Sequence, residues 1–145
     1  MWFESIVSRG SMPVLEQIMV FTEERQNVLA DNISNIDTID YQMKDLDVDA
    51  FRTSLSEAIE KRAGKGAAAR LEIESSRNLS WDRSGRMQAK AISTEPQNIL
   101  FHDQNNRSVE KQISEMAKNG LEHNVAVELL LGKYSGLEKA IRGTL

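Results

Sequence analysis

The sequence predicts a mainly α protein in which a long N-terminal helix and a long C-terminal helix pair as a coiled-coil-like hairpin around a small irregular middle region. Two observations predict this fold. Apolar positions recur at alternating spacings of three and four near both ends of the 145-residue chain, and the middle is rich in turn-forming residues. We therefore divide the chain into an N-terminal helix and turn (1–41), a variable middle region (42–107) and a C-terminal helix (108–145), with the two terminal helices forming one unit.

The N-terminal helix is predicted from Val14 to about Ile36, because Pro13 suits a first helical turn and Ser11 is a candidate cap. One face follows a strict alternation of three- and four-residue steps: Leu15, Ile18, Thr22, Arg25, Leu29, Asn32 and Ile36. Three of these seven side chains are polar, so the stripe is too polar for an isolated two-stranded zipper. It predicts a helix that is buried among several neighbours.

The middle region contains one clear helical signal, over about Asp49 to Ala63. Its apolar side chains recur every four residues: Phe51, Leu55 and Ile59. Residues 64–70, with the sequence GKGAAAR, are predicted to form a linker. The stretches LEIES (71–75) and LSWDRSGRMQAKAI (79–92) are candidate short strands, with Ser84 and Gly85 at a turn.

The C-terminal helix shows the longest periodic pattern and is predicted from about Ser108, with Ser108 or Asn106 as its cap and Glu110 and Glu115 near its positive N-terminal end. The pattern runs over four heptads: Ile113, Met116, Gly120, His123, Val127, Leu130, Tyr134, Leu137 and Ile141. Val125, Leu129 and Leu131 fall outside this stripe, so more than one face should be buried. A helix of about 33 residues is about 50 Å long, which exceeds what a compact domain of this size covers.

Charge and composition exclude several classes of protein. The net charge is −4, and no segment is a polybasic arm, which argues against nucleic-acid binding. A basic run lacks interleaved aromatic residues and is interpreted as a solvated linker: Lys61, Arg62, Lys65 and Arg70. There is no cysteine, no apolar run of the roughly 18 residues that a membrane span needs, and no secretory signal pattern at the N-terminus.

The titratable residues do not form a recognisable catalytic or metal-binding motif. His102 and His123 lack ligand spacing, and His123 falls on the C-terminal stripe, where we expect a packed, hydrogen-bonded side chain. The run Asp45, Asp47 and Asp49 lacks the glycine and closing glutamate of a calcium loop, so a solvated, helix-capping role is preferred to a metal site. We expect no enzyme and no cofactor.

The stretch LADNISNIDTIDYQMKDLDVDAF (29–51) resembles the signature of bacterial flagellar axial proteins, in which a pattern similar to A-x-N-I-A-N-x-x-T-x-G-Y closes the first helix. The matching residues are Ala30, Asn32, Ile33, Asn35, Thr38 and Tyr41. Asn35 also suits a helix end on its own chemistry, because asparagine tolerates left-handed backbone. Residues 103–143 resemble the C-terminal helix of the short proximal rod proteins of this family. Asp40 and Gln104 stand where the family usually has glycine.

The resemblance implies a structural subunit of the flagellar rod, exported without a cleaved signal peptide and assembled in the periplasm into a hollow shaft that transmits torque. It implies self-association and three partners: other proximal rod subunits, the ring-to-rod adaptor protein and the type III export apparatus. The alternatives are another short proximal rod component, or a cytoplasmic helical adaptor or export chaperone.

The predicted subunit-packing residues come from both stripes: Leu15, Ile18, Leu29, Ile36, Ile113, Met116, Val127, Leu130, Tyr134, Leu137 and Ile141. Phe3 and Val7 are candidates for an export-gate contact, and Trp2 with Phe3 for an anchor on a partner or on the chain's own helices. Three glycines are predicted to permit close helix approach or bending: Gly120, Gly132 and Gly136.

Overall fold

The computed structural model describes residues 10–38, 41–65, 69–82, 87–93 and 104–143, with side chains of the last segment from 109 onward. The elements are three helices and four short strands, in chain order: α1 (Met12–Ser34), β1 (Lys44–Asp45), α2 (Val48–Lys65), β2 (Leu79–Trp81), β3 (Met87–Ala89), β4 (Ile92–Ser93) and α3 (Gln104–Arg142). Helices α1 and α3 pack against each other in antiparallel directions, so the predicted mainly α hairpin of terminal helices is confirmed.

Helix α1 begins and ends close to the predicted positions. Ser11 occupies the N-cap position, and its carbonyl accepts a hydrogen bond from the Leu15 amide at 3.0 Å. The predicted side-chain cap is wrong, because Ser11 has helical backbone angles (φ −74°, ψ −11°) in place of the extended ones of a capping residue, and its hydroxyl forms no capping hydrogen bond. The helix ends at Ser34, two residues before Ile36. Asn35 follows it with φ −106°, so this end does not use left-handed backbone.

The hydrophobic core lies where α2 and the small strands pack against the α1–α3 pair. Its centre is the stacked pair Phe21 and Phe51, whose ring centroids are 4.0 Å apart and whose planes differ by 5°. The buried core members come from all three helices, two of the strands and the loop before α2: Val14, Leu15, Ile18, Phe21, Leu46, Phe51, Leu55, Leu79, Met87, Ala126 and Leu130. The core is therefore mostly aliphatic, as the low aromatic content predicts.

Helix α2 ends two residues later than predicted, and its last turns contact the segment that follows it. Gly64 and Lys65 belong to the helix, and Asp47 caps its start by accepting the Ala50 amide at 2.9 Å. At the other end, Lys61 contacts Glu74 at 2.6 Å across to the LEIES stretch. The predicted helix-capping role is thus confirmed for Asp47, which is half-buried.

The strands are shorter than predicted and one predicted strand is wrong. β2 and β3 form an antiparallel pair with Ser80 opposite Gln88, as the second candidate stretch predicts. Residues 71–75 do not form a strand. Their side chains do alternate as predicted, since Leu71 and Ile73 are half-buried and the two glutamates between and after them are exposed, but this segment is not paired in either sheet. β1 and β4 pair antiparallel and were not predicted, since two-residue strands give no periodic signal.

Helix α3 begins at Gln104, four residues before the predicted start, so Ser108 and Asn106 are inside the helix and do not cap it. Serine and asparagine carry only a modest helix penalty, which lets the helix extend back through them. With 39 residues the helix is about 58 Å long at 1.5 Å per residue. Its last turns extend beyond the N-terminus of α1, since Tyr134 already contacts Glu16 in the second turn of α1.

Several predictions fall on residues outside the described ranges. These concern Trp2, Phe3, Val7, Asp40, Ser84, Gly85 and His102, the linker residues 66–68 and the side chain of Gln104. Gly120, Gly132 and Gly136 are described, and a Cβ atom at any of them would meet nothing within 4 Å. They therefore mediate no close helix approach within this chain.

Candidate functional site: the polar seam between the terminal helices

Asn32 is the centre of the contact between α1, β1 and α3. The side chain is fully buried, and its amide forms two hydrogen bonds with the backbone of Lys44: Nδ2 donates to the carbonyl at 2.6 Å and Oδ1 accepts the amide at 2.9 Å. Nδ2 also donates to Gln112 Oε1 on α3 at 3.0 Å. The Asn32 side chain thus pairs with β1 as a peptide group would, and it links that strand to both terminal helices.

The remaining residues of the Asn-Thr-Tyr turn continue this network. Tyr41 donates its hydroxyl to Asn32 Oδ1 at 3.2 Å, and burial, with a smaller effect from Asp31, raises the pKa of Tyr41, so the hydroxyl stays protonated. The Asn35 side chain donates to the Asp31 carbonyl at 2.9 Å, and Thr38 donates its amide to the Asn35 carbonyl at 2.9 Å. These hydrogen bonds follow the end of α1, and the backbone then returns to the helix pair as β1.

Arg25 joins the same three elements about two turns earlier along α1. Its guanidinium donates to both carboxylate oxygens of Asp45, at 2.9 and 2.8 Å, and to Glu115 on α3 at 3.0 Å. The hydrogen bonds with Asp45 raise the pKa of Arg25 further above its usual value. A hydrogen bond from Lys118, followed by that from Arg25, holds the pKa of Glu115 below its usual range. The expected solvated role of Asp45 is therefore wrong, because this carboxylate forms a partly buried ion pair.

The third polar contact lies around Thr22, in the middle of the pair. Thr22 donates its only hydroxyl proton to a backbone carbonyl of its own helix, that of Ile18 at 2.9 Å. With that proton on the Ile18 carbonyl, Nδ1 of His123, 2.9 Å from the same oxygen, is assigned as the donor, which requires the Nδ1-protonated tautomer. Asn119 is fully buried and donates Nδ2 to the Thr22 carbonyl at 2.8 Å and to Gln26 Oε1 at 2.7 Å. The predicted hydrogen-bonded, packed role of His123 is confirmed.

These contacts define a polar seam along α1 and α3. Its members are Thr22, Arg25, Gln26 and Asn32 on α1 and Gln112, Glu115, Asn119 and His123 on α3. The α1 stripe predicted from the sequence is confirmed, since six of its seven positions are buried and Ile36 is half-buried. The α3 members Gln112, Glu115 and Asn119 were not predicted. The signal that could have identified them is their three- and four-residue spacing, which places them on one face of α3 that can meet the polar positions of α1.

The apolar stripe predicted on α3 only partly coincides with the seam. Leu130 is buried, and Met116 and Val127 are half-buried, but four other members are exposed within this chain: Ile113, Tyr134, Leu137 and Ile141. A strict seven-residue repeat drifts about 20° per heptad around a straight helix, which rotates Ile113 away from α1. By helical geometry, Leu137 and Ile141 return to the seam side of α3, but the register set by Tyr134 and Glu16 brings them only to the first turn of α1 and past it.

The described residues contain no group of three His, Asp or Glu side chains placed to bind a metal ion. Among those same residues, no helix combines the length and the apolar character that crossing a membrane requires. The chemistry of the seam is hydrogen bonding and ion pairing between helices, which fixes their relative position.

The Asn-Thr-Tyr turn that closes α1 is the feature by which the chain resembles the structural proteins of the flagellar axial class. The flagellar basal body rod protein FlgB of Aeromonas hydrophila is 32% identical over 120 residues, which cover 83% of this chain and 83% of the relative. The chain belongs to the family of flagellar basal body rod proteins named FlgB.

Two more distant relatives carry the same name and match over more of the chain. FlgB of Bacillus subtilis strain 168 is 24% identical over 134 residues, covering 92% of this chain and 95% of the relative. FlgB of Yersinia enterocolitica is 21% identical over 140 residues, covering 92% of this chain and 94% of the relative. No protein-family model matches the chain.

Proposed function

We propose that this chain is a structural subunit of the proximal rod of the bacterial flagellar basal body and has no enzymatic activity. Family membership supports the rod assignment. The observation that carries the mechanical role is the Asn32 network, which ties both terminal helices and β1 together with hydrogen bonds. Such a hairpin resists sliding of one helix past the other, which is what a subunit that transmits torque requires.

The proposed partners are other proximal rod subunits, the ring-to-rod adaptor protein and the type III export apparatus, through which the chain would reach the periplasm without a cleaved signal peptide. Exposed apolar side chains on α3 support subunit packing, because an isolated chain gains nothing from presenting Leu137 and Ile141 to water at 51% and 77% exposure. Phe3 and Val7 remain the proposed contact with the export gate.

The test is deletion of the gene in its own flagellated host, followed by motility assay and imaging of purified basal bodies. We expect non-motile cells whose rods are missing from the base upward, and recovery of both properties with the wild-type gene. Basal bodies that retain a complete rod after deletion, or a wild-type chain found only in the cytosol, would overturn the proposal.

Replacement of Phe3 by alanine tests the export contact separately. The secreted fraction of the chain, measured in culture supernatants of a hook-deficient strain, should fall while the cellular level is unchanged. Val20→Ala, which also shortens an apolar side chain but lies within α1, is the control and should leave secretion intact. Normal secretion of the Phe3→Ala chain would contradict the export contact without affecting the rod assignment.

A further inference from the structure

Asn119 and Gly120 form the only Asn-Gly step in the chain. An asparagine is prone to deamidation when glycine follows it, because a residue without a side chain leaves its backbone nitrogen open to attack the asparagine amide carbon. In an unfolded chain, Asn119 should therefore react faster than any other asparagine. The structure places this step in the middle of α3, where Asn119 is fully buried in the polar seam.

The folded hairpin opposes deamidation at both reacting groups. Nδ2 of Asn119, the leaving group, donates to the Thr22 carbonyl at 2.8 Å and to Gln26 Oε1 at 2.7 Å. The nitrogen of Gly120, which would attack, lies inside a continuous helix, where each N–H is directed at the carbonyl four residues earlier. Ring closure needs a backbone rotation at Asn119 that breaks these contacts, so the reaction requires α3 to leave α1 and to unwind locally.

We propose that Asn119 is a deamidation site that reacts only when α1 and α3 separate, and that its product cannot restore the pair. In the reaction, the Gly120 nitrogen forms a bond to Asn119 Cγ, the bond from Cγ to Nδ2 breaks, and Nδ2 leaves as ammonia with the proton of the Gly120 amide. Water then opens the cyclic imide at either of its carbonyl carbons, which yields aspartate or isoaspartate. Water is the only co-reactant, and no atom is oxidised or reduced.

Neither product can replace asparagine in the seam. Asn119 acts there as a donor, since none of the described residues donates a hydrogen bond to its Oδ1. Aspartate would turn a carboxylate oxygen towards the Thr22 carbonyl, a backbone acceptor that cannot reverse its role, although Gln26 can rotate its own amide. Isoaspartate adds a methylene group to the main chain and interrupts α3 at this point. Deamidation therefore converts a transient opening of the hairpin into a lasting one.

This inference does not depend on the proposed rod function, because it follows from one dipeptide and the contacts of its side chain. A chain that pairs its terminal helices promptly keeps the asparagine. A chain that stays unpaired accumulates a product that is excluded from the hairpin. The site thus limits how long an unpaired chain remains able to fold.

The test follows deamidation by mass spectrometry in mildly alkaline buffer, with and without guanidinium chloride at a concentration that unfolds the chain. Trypsin releases residues 119–133 as one peptide, which also contains the exposed Asn124 as an internal reference, followed by the β-branched Val125. We expect Asn119 to react at least about tenfold faster in denaturant than in buffer, with Asn124 largely intact in both. Equal rates at Asn119 in the two solvents, or faster reaction at Asn124 in denaturant, would overturn the proposal.

Two variants separate the chemistry of the dipeptide from the opening of the hairpin. Gly120→Ala should slow the reaction at least about tenfold even in denaturant, because its methyl group shields the attacking nitrogen. A Cβ at this position meets nothing within 4 Å, so the variant should fold.

Asn32→Leu leaves the Asn-Gly step unchanged but removes hydrogen bonds from the seam at a distant position. It should speed deamidation of Asn119 about tenfold or more in buffer and not in denaturant, because the rate in buffer follows the open fraction. Glu23→Gln, exposed on α1, is the control and should leave both rates unchanged. A wild-type rate for Asn32→Leu in buffer would show that the hairpin does not control the reaction.

Asn119→Asp tests whether the product is excluded from the pair. We expect a thermal midpoint at least about 5 °C below that of the wild type by far-UV circular dichroism, because a buried carboxylate then faces the Thr22 carbonyl. Asn124→Asp, exposed on the same helix, is the matched control and should shift the midpoint by less than about 2 °C. Equal midpoints for Asn119→Asp and the wild type would contradict the claim that the product cannot restore the pair.

Discussion

Replacement of Asn32 by leucine is the most direct test of how the hairpin is held together. Leucine has the same branched shape at Cγ but is larger, so the change removes hydrogen bonds without opening a cavity, and any crowding adds to the loss. Four hydrogen bonds are lost, two to the Lys44 backbone, one to Gln112 and one from Tyr41. Because Asn32 is fully buried, water cannot reach the side of each partner that faces it.

The expected loss follows from these four bonds. A typical intramolecular hydrogen bond contributes about 1 kcal/mol net, and the partners on Lys44 and Gln112 retain some access to water, so we expect a loss of about 2–4 kcal/mol in the free energy of unfolding. For a chain of this length, 1 kcal/mol corresponds to about 3 °C, which gives a thermal midpoint about 6–12 °C lower. Thermal and urea unfolding followed by far-UV circular dichroism measures both quantities.

The variant Asn32→Asp tests the same hydrogen bonds by replacing the donor group of Asn32 with a second carboxyl oxygen. The introduced oxygen would face the Lys44 carbonyl oxygen across the 2.6 Å that now separates a donor from an acceptor. Burial would raise the pKa of this carboxyl, so the folded state would bind its proton more tightly, and the penalty relative to the wild type should shrink as pH falls from 7 towards 4. Asn27→Asp, exposed on the same helix, is the control.

For Asn32→Leu, a loss of less than about 1 kcal/mol in the free energy of unfolding would refute the assigned role of the Asn32 hydrogen bonds.

Three further predictions concern the rest of the seam. Arg25→Met should cost about 3–5 kcal/mol in urea unfolding, because it removes the guanidinium from the partly buried Asp45 carboxylate and leaves Glu115 with Lys118 alone. Arg52→Met removes an exposed pair and should cost less than about 1 kcal/mol, and equal costs would contradict the seam. Lys118 and Arg25 lower the pKa of Glu115, so the contribution of this carboxylate to the free energy of unfolding is present above its unfolded pKa and is lost as pH falls through the lower folded value. The difference in unfolding free energy between the wild type and Glu115→Gln should therefore narrow below about pH 4. A difference that stays constant from pH 7 to 3 would argue against these ion pairs. Nitrogen NMR should find a proton on Nδ1 of His123, and an unprotonated Nδ1 would exclude the assigned hydrogen bond.

The sequence predicts α1 well because a buried helix face leaves a periodic record even where it is polar. The spacing alone placed Thr22, Arg25 and Asn32 on one side, and all three are buried. Their partners were harder to predict, because the backbone groups of Lys44 carry no side-chain signal. Gln112 and Asn119, considered singly, are ordinary polar residues of a long helix, and only their position opposite α1 gives them a role.

The stripe on α3 was less predictable for a geometric reason. A seven-residue repeat and a 3.6-residue turn agree over one or two heptads and diverge over four. The pattern therefore describes a face near Leu130 correctly and misplaces Ile113. The predicted lengths already made α3 the longer helix, and Leu137 and Ile141 continue the pattern at the end where α1 begins but stay exposed.

The polar seam gives the hairpin one register, which an aliphatic seam of the same spacing would not. In the observed register, Asn32 faces Gln112, and Thr22 faces Asn119 and His123. A slip of one heptad would retain much apolar contact, but it would move Thr22 opposite Met116 or Leu130 and leave buried polar groups without partners.

Each such group costs about 1–3 kcal/mol, so the slipped states are several kcal/mol less stable than the observed one. A slip of one heptad would also displace α3 by about 10.5 Å along α1. The polar side chains that make the seam too polar for an isolated zipper therefore fix the register of the two terminal helices.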